Sequence, residues 1–312
     1  MSSKKQAEDR KKVRTSYGLK LTPAQMDRLE EIGKEKGWPS REVPYARFSF
    51  TGPQVNITGY ESGKFLAQGK GTEEFVTHIL EPMVTGEAKL GYDEVHHPEW
   101  FEPHAGLDES GKGDLFGPLV SAAVVAEAPA IRHWMEEGIK DSKTISEGGI
   151  KRLDRIIRKT RGVSYALVQC GMTRYNELMS RPGANLNKLL AWQHARALEE
   201  ALEKKWVPWG MLDQFSKRPL TQGYLRAENF DLRMMTKAEA DPVVAAASVL
   251  ARAEYVRQME KLGEVAGEPL LKGAGPLVKE QGFRLVEKWG PQKFGDFAKL
   301  HFKTAREILG EA

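Results

Sequence analysis

The sequence predicts an α/β protein in two parts: a small N-terminal α+β module, then a larger domain in which strands alternate with helices. Three observations predict it. At 312 residues the chain is long for one domain and comfortable for two. Its first third spells helix, three short strands and helix, whereas the rest alternates apolar strand-like runs with longer amphipathic segments. Between them Gly86 to His104 carries Gly, Pro and the pair His96-His97 without clear periodicity and reads as a linker. The expected boundaries are 1–88, 89–103 and 104–312.

Composition narrows the class. A hydrophobic content of 40% with 29% charged residues is ordinary for a soluble globular protein. The longest apolar runs, near Leu119–Ala126 and Val243–Ala251, fall far short of the roughly 20 residues that a membrane span needs. Met1–Lys12 is polar and basic, without the apolar core of a secretory signal. The single cysteine, Cys170, excludes an internal disulfide and fits a reducing compartment, so a cytoplasmic protein is expected. The net charge is only +4, but residues 1–90 hold fifteen Lys and Arg against twelve Asp and Glu. A modestly basic end is compatible with nucleic acid, and residues 1–14 alone read equally well as a solvated tail.

Thr22-Pro23 opens the first helix, with Thr22 as cap, Pro23 in the first turn and Met26, Leu29, Ile32 and Gly33 along one face. Tyr45–Thr51, Val55–Tyr60 and Lys64–Gln68 alternate between Gly52-Pro53 and Glu61-Ser62-Gly63 turns and read as a meander. Thr72–Val84 reads as a helix with Phe75, Ile79 and Leu80 on one face.

Gly106-Leu107-Asp108-Glu109-Ser110-Gly111-Lys112-Gly113-Asp114-Leu115-Phe116-Gly117-Pro118 is the most informative stretch. Neighbouring strand residues point to opposite faces, so Asp108 and Glu109 are expected to share a site only if the chain leaves β geometry near them; Gly111 and Gly113 would permit it. From Gly106 to Lys112 the spelling is nearly a P-loop, yet Gly113 stands where Ser or Thr must hold magnesium, and two carboxylates would repel phosphates. The P-loop is rejected. Paired carboxylates suit a hard divalent cation, and a merely acidic turn is the plain alternative.

Further on, Ser146 caps a helix over Glu147–Thr160, preceded by the polar connector Asp141-Ser142-Lys143-Thr144. Val163–Cys170 reads as a strand, Thr173–Met179 as a short helix, and Asn187–Lys205 as a long helix with His194 as a packing residue. Trp209–Phe215 is a short apolar strand ending in Asp213, and strand ends are where functional residues of open mixed sheets gather. Thr236–Arg252 opens with Glu239 and Asp241 and continues as a helix of small residues that can lie close to a sheet. Lys279–Trp289 and Asp296–Leu309 read as helices, and Lys288, Lys293, Lys299, His301 and Lys303 with Phe294, Phe297 and Phe302 form either a basic-aromatic surface or a packing face with solvated lysines.

Asp108 to Asp114 with Phe116-Gly117-Pro118 resembles the opening motif of the type 2 ribonucleases H. With Lys112 between the glycines, and with the N-terminal module, the chain is most similar to the ribonuclease HIII family. Asn56–Lys64 leading to Gln68-Gly69-Lys70 is similar to that family's N-terminal domain, itself like half of the TATA-binding protein. The resemblance implies a ribonuclease H-like mixed sheet flanked by helices, with a TATA-binding-protein-like substrate-binding module at residues 1–88. It implies four catalytic and metal-binding carboxylates, Asp108, Glu109, Asp213 and Glu239, holding Mg2+ or Mn2+. Glu239 lies nine residues before Ser248 where most relatives have ten, so Asp241 stays a rival. Gly111, Lys112, Gly113, Ser142, Lys143, Lys64 and Lys70 are the implied substrate contacts. The implied activity is endonucleolytic cleavage of RNA in an RNA/DNA hybrid, leaving 5′-phosphate and 3′-hydroxyl ends. Cleavage at single ribonucleotides in DNA and an inactive nucleic-acid-binding protein are the alternatives. A monomer is expected, acting on the hybrid duplex and with no membrane partner.

Overall fold

The computed structural model describes residues 15–87, 93–139 and 142–311, and the chain divides into two compact units, Met1–Glu99 and Trp100–Ala312. The basic run of residues 1–14 and Asp141 lie outside the described residues.

In the first unit β1 (Ser16–Lys20), β2 (Ala46–Gly52), β3 (Val55–Tyr60) and β4 (Lys64–Gln68) form an antiparallel sheet of order β1-β4-β3-β2. Helix α1 (Pro23–Glu35) begins at a full capping box, in which the Thr22 side chain accepts from the Gln25 N–H and the Gln25 side chain accepts from the Thr22 N–H. Helix α2 (Thr72–Phe75) continues as a π-helix over Val76–Thr85 with Pro82 inside it, so the second helix is not regular α as the periodicity suggested. Leu29, Phe48, Phe50, Ile57, Phe65, Phe75 and Leu80 make one core between these helices and one face of the sheet. Lys20, Asn56, Thr58, Lys64 and Gln68 lie on the opposite face. β1 is a fourth strand where three were expected. Its five residues include Gly18 and alternate too briefly to announce themselves. The expected linker contains a helical turn, α3 (Asp93–His96), and a 3₁₀ turn, Pro98–Phe101.

The second unit is built on a five-stranded mixed sheet of order β7-β6-β5-β8-β9. β5 (His104–Ser110), β6 (Leu119–Ala126) and β7 (Ser164–Cys170) are antiparallel neighbours, whereas β8 (Trp209–Asp213) and β9 (Asp231–Met235) continue from β5 in parallel. Helices cover both faces. On one lie α4 (Ala128–Glu136), α5 (Glu147–Lys159) and α8 (Pro242–Ala266), packed on Val120, Ala122 and Val124 of β6. On the other lies α7 (Leu186–Lys204), whose Ala197, Leu198 and Ala201 pack on Ala105, Leu107, Ala123 and Val125. The short α6 (Met172–Met179) precedes it. The alternation of strand residues between these two cores is the ordinary period of two.

α8 lies unusually near β5. A Cβ added to Gly106 would fall 2.3 Å from the backbone of Val243 and Val244, so only glycine admits the helix there. The small residues Ala245, Ala246, Ala247 and Ser248 are all buried along it.

α9 (Pro276–Trp289), α10 (Pro291–Phe294) and α11 (Lys303–Leu309) close the chain. The helix expected over Asp296–Leu309 is confined to its second half. Ala298 instead bridges to Phe116; Phe294 and Phe297 are buried while Lys288, Lys293 and Lys303 are exposed, which is the packing face with solvated lysines, and Lys299, fully buried, is the departure from it.

Candidate active site

The site is built where β5 and β8 end together. Their parallel register pairs Ala105 with Gly210, Gly106 with Met211 and Leu107 with Leu212. One residue further on, the same register sets Asp108 beside Asp213, both on the α8 side of the sheet. β5 stays a regular strand through Ser110, so the chain does not leave β geometry at the acidic pair, contrary to the sequence-based expectation. Asp108 and Glu109 straddle the sheet end instead. Asp108 turns to Ser248 of α8, and Glu109 to His194 of α7.

This split gives the two acids different chemistry. Asp108 is buried, and burial first, then the charges of Glu109 and Asp213, push its carboxyl up to about 7. Hydrogen bonds from Ser248 and from the Glu109 N–H, 2.7 Å from Oδ1, only partly offset this. Burial also raises Glu109, but the His194 hydrogen bond and charge, with Lys112 and Lys143 nearby, outweigh it and hold this carboxyl below its ordinary value. The His194 Nε2 lies 3.1 Å from Glu109 Oε2, and the Lys112 ammonium 3.8 Å from Oε1. Lys112 also sits 5.3 Å over the Phe215 ring, which stacks on His194.

Asp213 Oδ1 accepts from the Ala238 N–H at 3.1 Å, which ties the end of β8 to the 3₁₀ turn Ala238–Ala240. Glu239 sits half-buried in that turn. Lys237 before it takes a left-handed backbone, φ 61°, uncommon for a residue with a side chain. Asp241 has other work. Its carboxylate caps α8, accepting from the Val243 N–H at 2.7 Å, and lies 3.0 and 3.1 Å from the Nε2 of the fully buried His104. The other nitrogen of His104 is 2.7 Å from the Glu102 carbonyl, and its ring stacks on Trp209. These contacts favour Glu239 over Asp241 as the available acid.

Of the implied substrate contacts, Gly111, Lys112 and Gly113 follow β5 directly. Gly111 has φ 87°, and an added Cβ would meet the Pro118 carbonyl at 2.3 Å. Gly113 lacks positive φ and borders open space, so nothing steric requires glycine there. Ser142 is buried with its hydroxyl 2.6 Å from that of Ser248, while Lys143 is exposed and its charge reaches Glu109. Lys64 and Lys70 belong to the other unit, and Lys20 stands directly across from Lys64.

Sequence reasoning missed Lys20 with its strand, and it read His194 only as packing. A histidine on the inward stripe of α7 was the available signal, but its carboxylate partner is 85 residues away. Among the described residues, no three His, Cys, Asp or Glu side chains are drawn together closely enough to hold a metal ion, and His96 and His97 form no such site. A concavity of about 1000 Å³ lined by Trp38, Arg41, Arg47 and Phe48 belongs to the N-terminal unit and includes none of these four acids. The acids stand at a sheet end, which suits a polymer lying across it better than an enclosed small molecule.

The family model described as ribonuclease HII matches residues 105–305, and a domain of unknown function, DUF3378, matches residues 18–88. Ribonuclease HIII of Protochlamydia amoebophila is 33% identical over 95% of this chain and 96% of its own length. Ribonuclease HIII of Chlamydia muridarum is 36% identical over 95% and 98%. Among solved structures, Bst-RNase HIII in complex with Mn2+ covers 95% of this chain and 98% of its own, at 30% identity and TM-score 0.64. The ribonuclease H2 of Pyrococcus horikoshii covers 66% of this chain and 96% of its own, at 26% identity and TM-score 0.58.

Proposed function

The chain belongs to the ribonuclease HIII family, and on that premise we propose that it is an endonuclease cutting the RNA strand of RNA/DNA hybrids to 5′-phosphate and 3′-hydroxyl ends. The observation that carries this reading is Asp108. A buried carboxylate pushed up to about 7 beside Glu109 and Asp213 is an uncompensated acidic centre, the setting a divalent cation relieves. Asp108, Glu109, Asp213 and Glu239 supply only hard oxygen donors, whose chemistry suits Mg2+ or Mn2+; to hold the ion their side chains would draw in around it from their present separation. When bound, divalent ions supply water activation and stabilisation of the leaving 3′-oxygen.

The remaining tasks fall to the chain itself. Ser248 and the Glu109 N–H orient Asp108, and His194 orients Glu109. The backbone of Gly111–Gly113 meets the ribose 2′-hydroxyl, the group that separates RNA from DNA. Lys112, Ser142 and Lys143 steer the substrate backbone past the acids, and Lys20, Lys64 and Lys70 hold phosphates without reading bases. The protein acts as a cytoplasmic monomer, and no helix among the described residues is long and apolar enough to cross a membrane.

The test is cleavage of two labelled duplexes, one with an RNA run and one with a lone ribonucleotide, in Mg2+ and in Mn2+. Cutting of the RNA run is expected with either ion and loss of cutting in chelator. Cutting confined to the lone ribonucleotide would transfer the chain to that alternative activity, and no cutting of either would sink the nuclease reading.

A further inference from the structure

Lys299 is fully buried, yet it forms no ion pair among the described residues. Its ammonium donates to the carbonyls of Asp114, at 2.8 Å, and Gly117, and lies 5.7 Å from the Tyr175 ring centroid. A buried ammonium without a carboxylate destabilises the fold, and burial pushes this one down to about 7 against the opposing pull of Asp114. What the lysine supplies in return is a tie to two backbone carbonyls, which an apolar side chain of similar length could not make.

The hydrogen bonds of its ammonium converge on one short segment, the turn from Gly111 to Gly117. The Lys299 N–H donates to the Leu115 carbonyl at 2.8 Å, and the Gly117 N–H to the Phe297 carbonyl at 3.0 Å. From α8 the Tyr255 hydroxyl donates to the Phe116 carbonyl at 3.2 Å, and its ring lies 2.9 Å from where a Gly111 Cβ would stand. The Gly273 N–H donates to Asp114 Oδ1 at 2.6 Å. A turn with glycines at 111, 113 and 117 loses much freedom on ordering, so amides that must meet a ligand at fixed positions need such external support.

We infer that Lys299, seconded by Tyr255, is a positioning residue that fixes the Gly111–Gly117 turn for ribose recognition and so sets the preference for RNA-containing over all-DNA duplex. The inference rests on the reading that the Gly111–Gly113 backbone contacts the 2′-hydroxyl.

The test measures binding of the full chain, in Ca2+ to suppress cleavage, to an RNA/DNA hybrid and to a DNA duplex of the same sequence, with thermal unfolding alongside. For Lys299→Met, loss of charge-assisted hydrogen bonds to the turn is expected to weaken hybrid binding about tenfold while DNA-duplex affinity holds within about twofold. Should this variant fail to fold, Tyr255→Phe, which removes one hydroxyl from the same turn, is expected to lower the hybrid preference about threefold. An unchanged preference in the variant that folds, or an equal loss on both duplexes, overturns the inference. A wild-type protein with no preference for hybrid would overturn the ribose reading beneath it instead.

Discussion

At the residue scale the site turns on one carboxylate held against its inclination. Between its ordinary range and about 7, Asp108 keeps a proton in the folded chain that the unfolded chain has released. Metal-free stability should therefore fall as pH rises from about 4 to 7, by up to about 4 kcal/mol from this residue, and stay low above it. Added Mg2+ should restore it. Asp108→Asn should abolish cleavage yet raise the metal-free melting temperature at pH 8, measurable by calorimetry; substantial residual cleavage in saturating Mg2+ would remove Asp108 from the site. The fourth acid is tested in the same spirit. Glu239→Gln should cost two or more orders of magnitude in rate, on the scale of an electrostatic contribution of roughly 3 kcal/mol. Asp241→Asn should cost little in rate. Asp241→Ala should instead cost about 2–3 kcal/mol of stability, from the missing cap and the unpaired His104 nitrogen. If the rates reverse, Asp241 takes the role.

At the scale of elements, the pairing of β5 with β8 brings Asp108 beside Asp213, and the closeness of α8 to β5 sets the start of α8 against the same sheet. Gly106→Ala would drive a methyl into the backbone of Val243 and Val244, which cannot rotate away. A loss of about 1–3 kcal/mol is expected, with cleavage falling by more than that loss of folded protein explains; denaturant melts paired with single-turnover rates check it. Much of this level was legible in the sequence. The run of small residues in α8 announced close packing, Thr22 and Ser146 announced helix starts, and the strand ending in Asp213 announced its own position. β1 and β9 were not legible, because five-residue edge strands gain their order from a neighbour rather than from their own pattern. Lys299 was read with the wrong environment for a similar reason. Nothing in Ala298-Lys299-Leu300-His301 says that the lysine turns inward to a loop 182 residues earlier in the chain.

At the scale of the whole molecule, the phosphate contacts proposed for Lys20, Lys64 and Lys70 and the acids proposed to cut lie in different units, which makes their contributions separable by measurement. Replacing Lys20, Lys64 and Lys70 together by Gln should weaken hybrid binding, and each phosphate no longer neutralised should flatten the log K against log salt slope by roughly 0.9. Turnover at saturating substrate should persist. An unchanged affinity and slope would leave the N-terminal sheet without a binding role.

The ties that complete the site also join distant parts of the chain. His104 meets Asp241 across 137 residues, and Lys299 meets Asp114 across 185. Contacts of such separation form late, because the long intervening loop must be closed before they contribute. The first unit closes its sheet within residues 16–68. During synthesis from the N-terminus, the lysine-bearing sheet is therefore complete while the acids are still unassembled. On the binding role proposed for Lys20, Lys64 and Lys70, a nascent chain still tethered to its own message should hold nucleic acid before it can cut any, the nuclease coming into being only as the C-terminal helices are released.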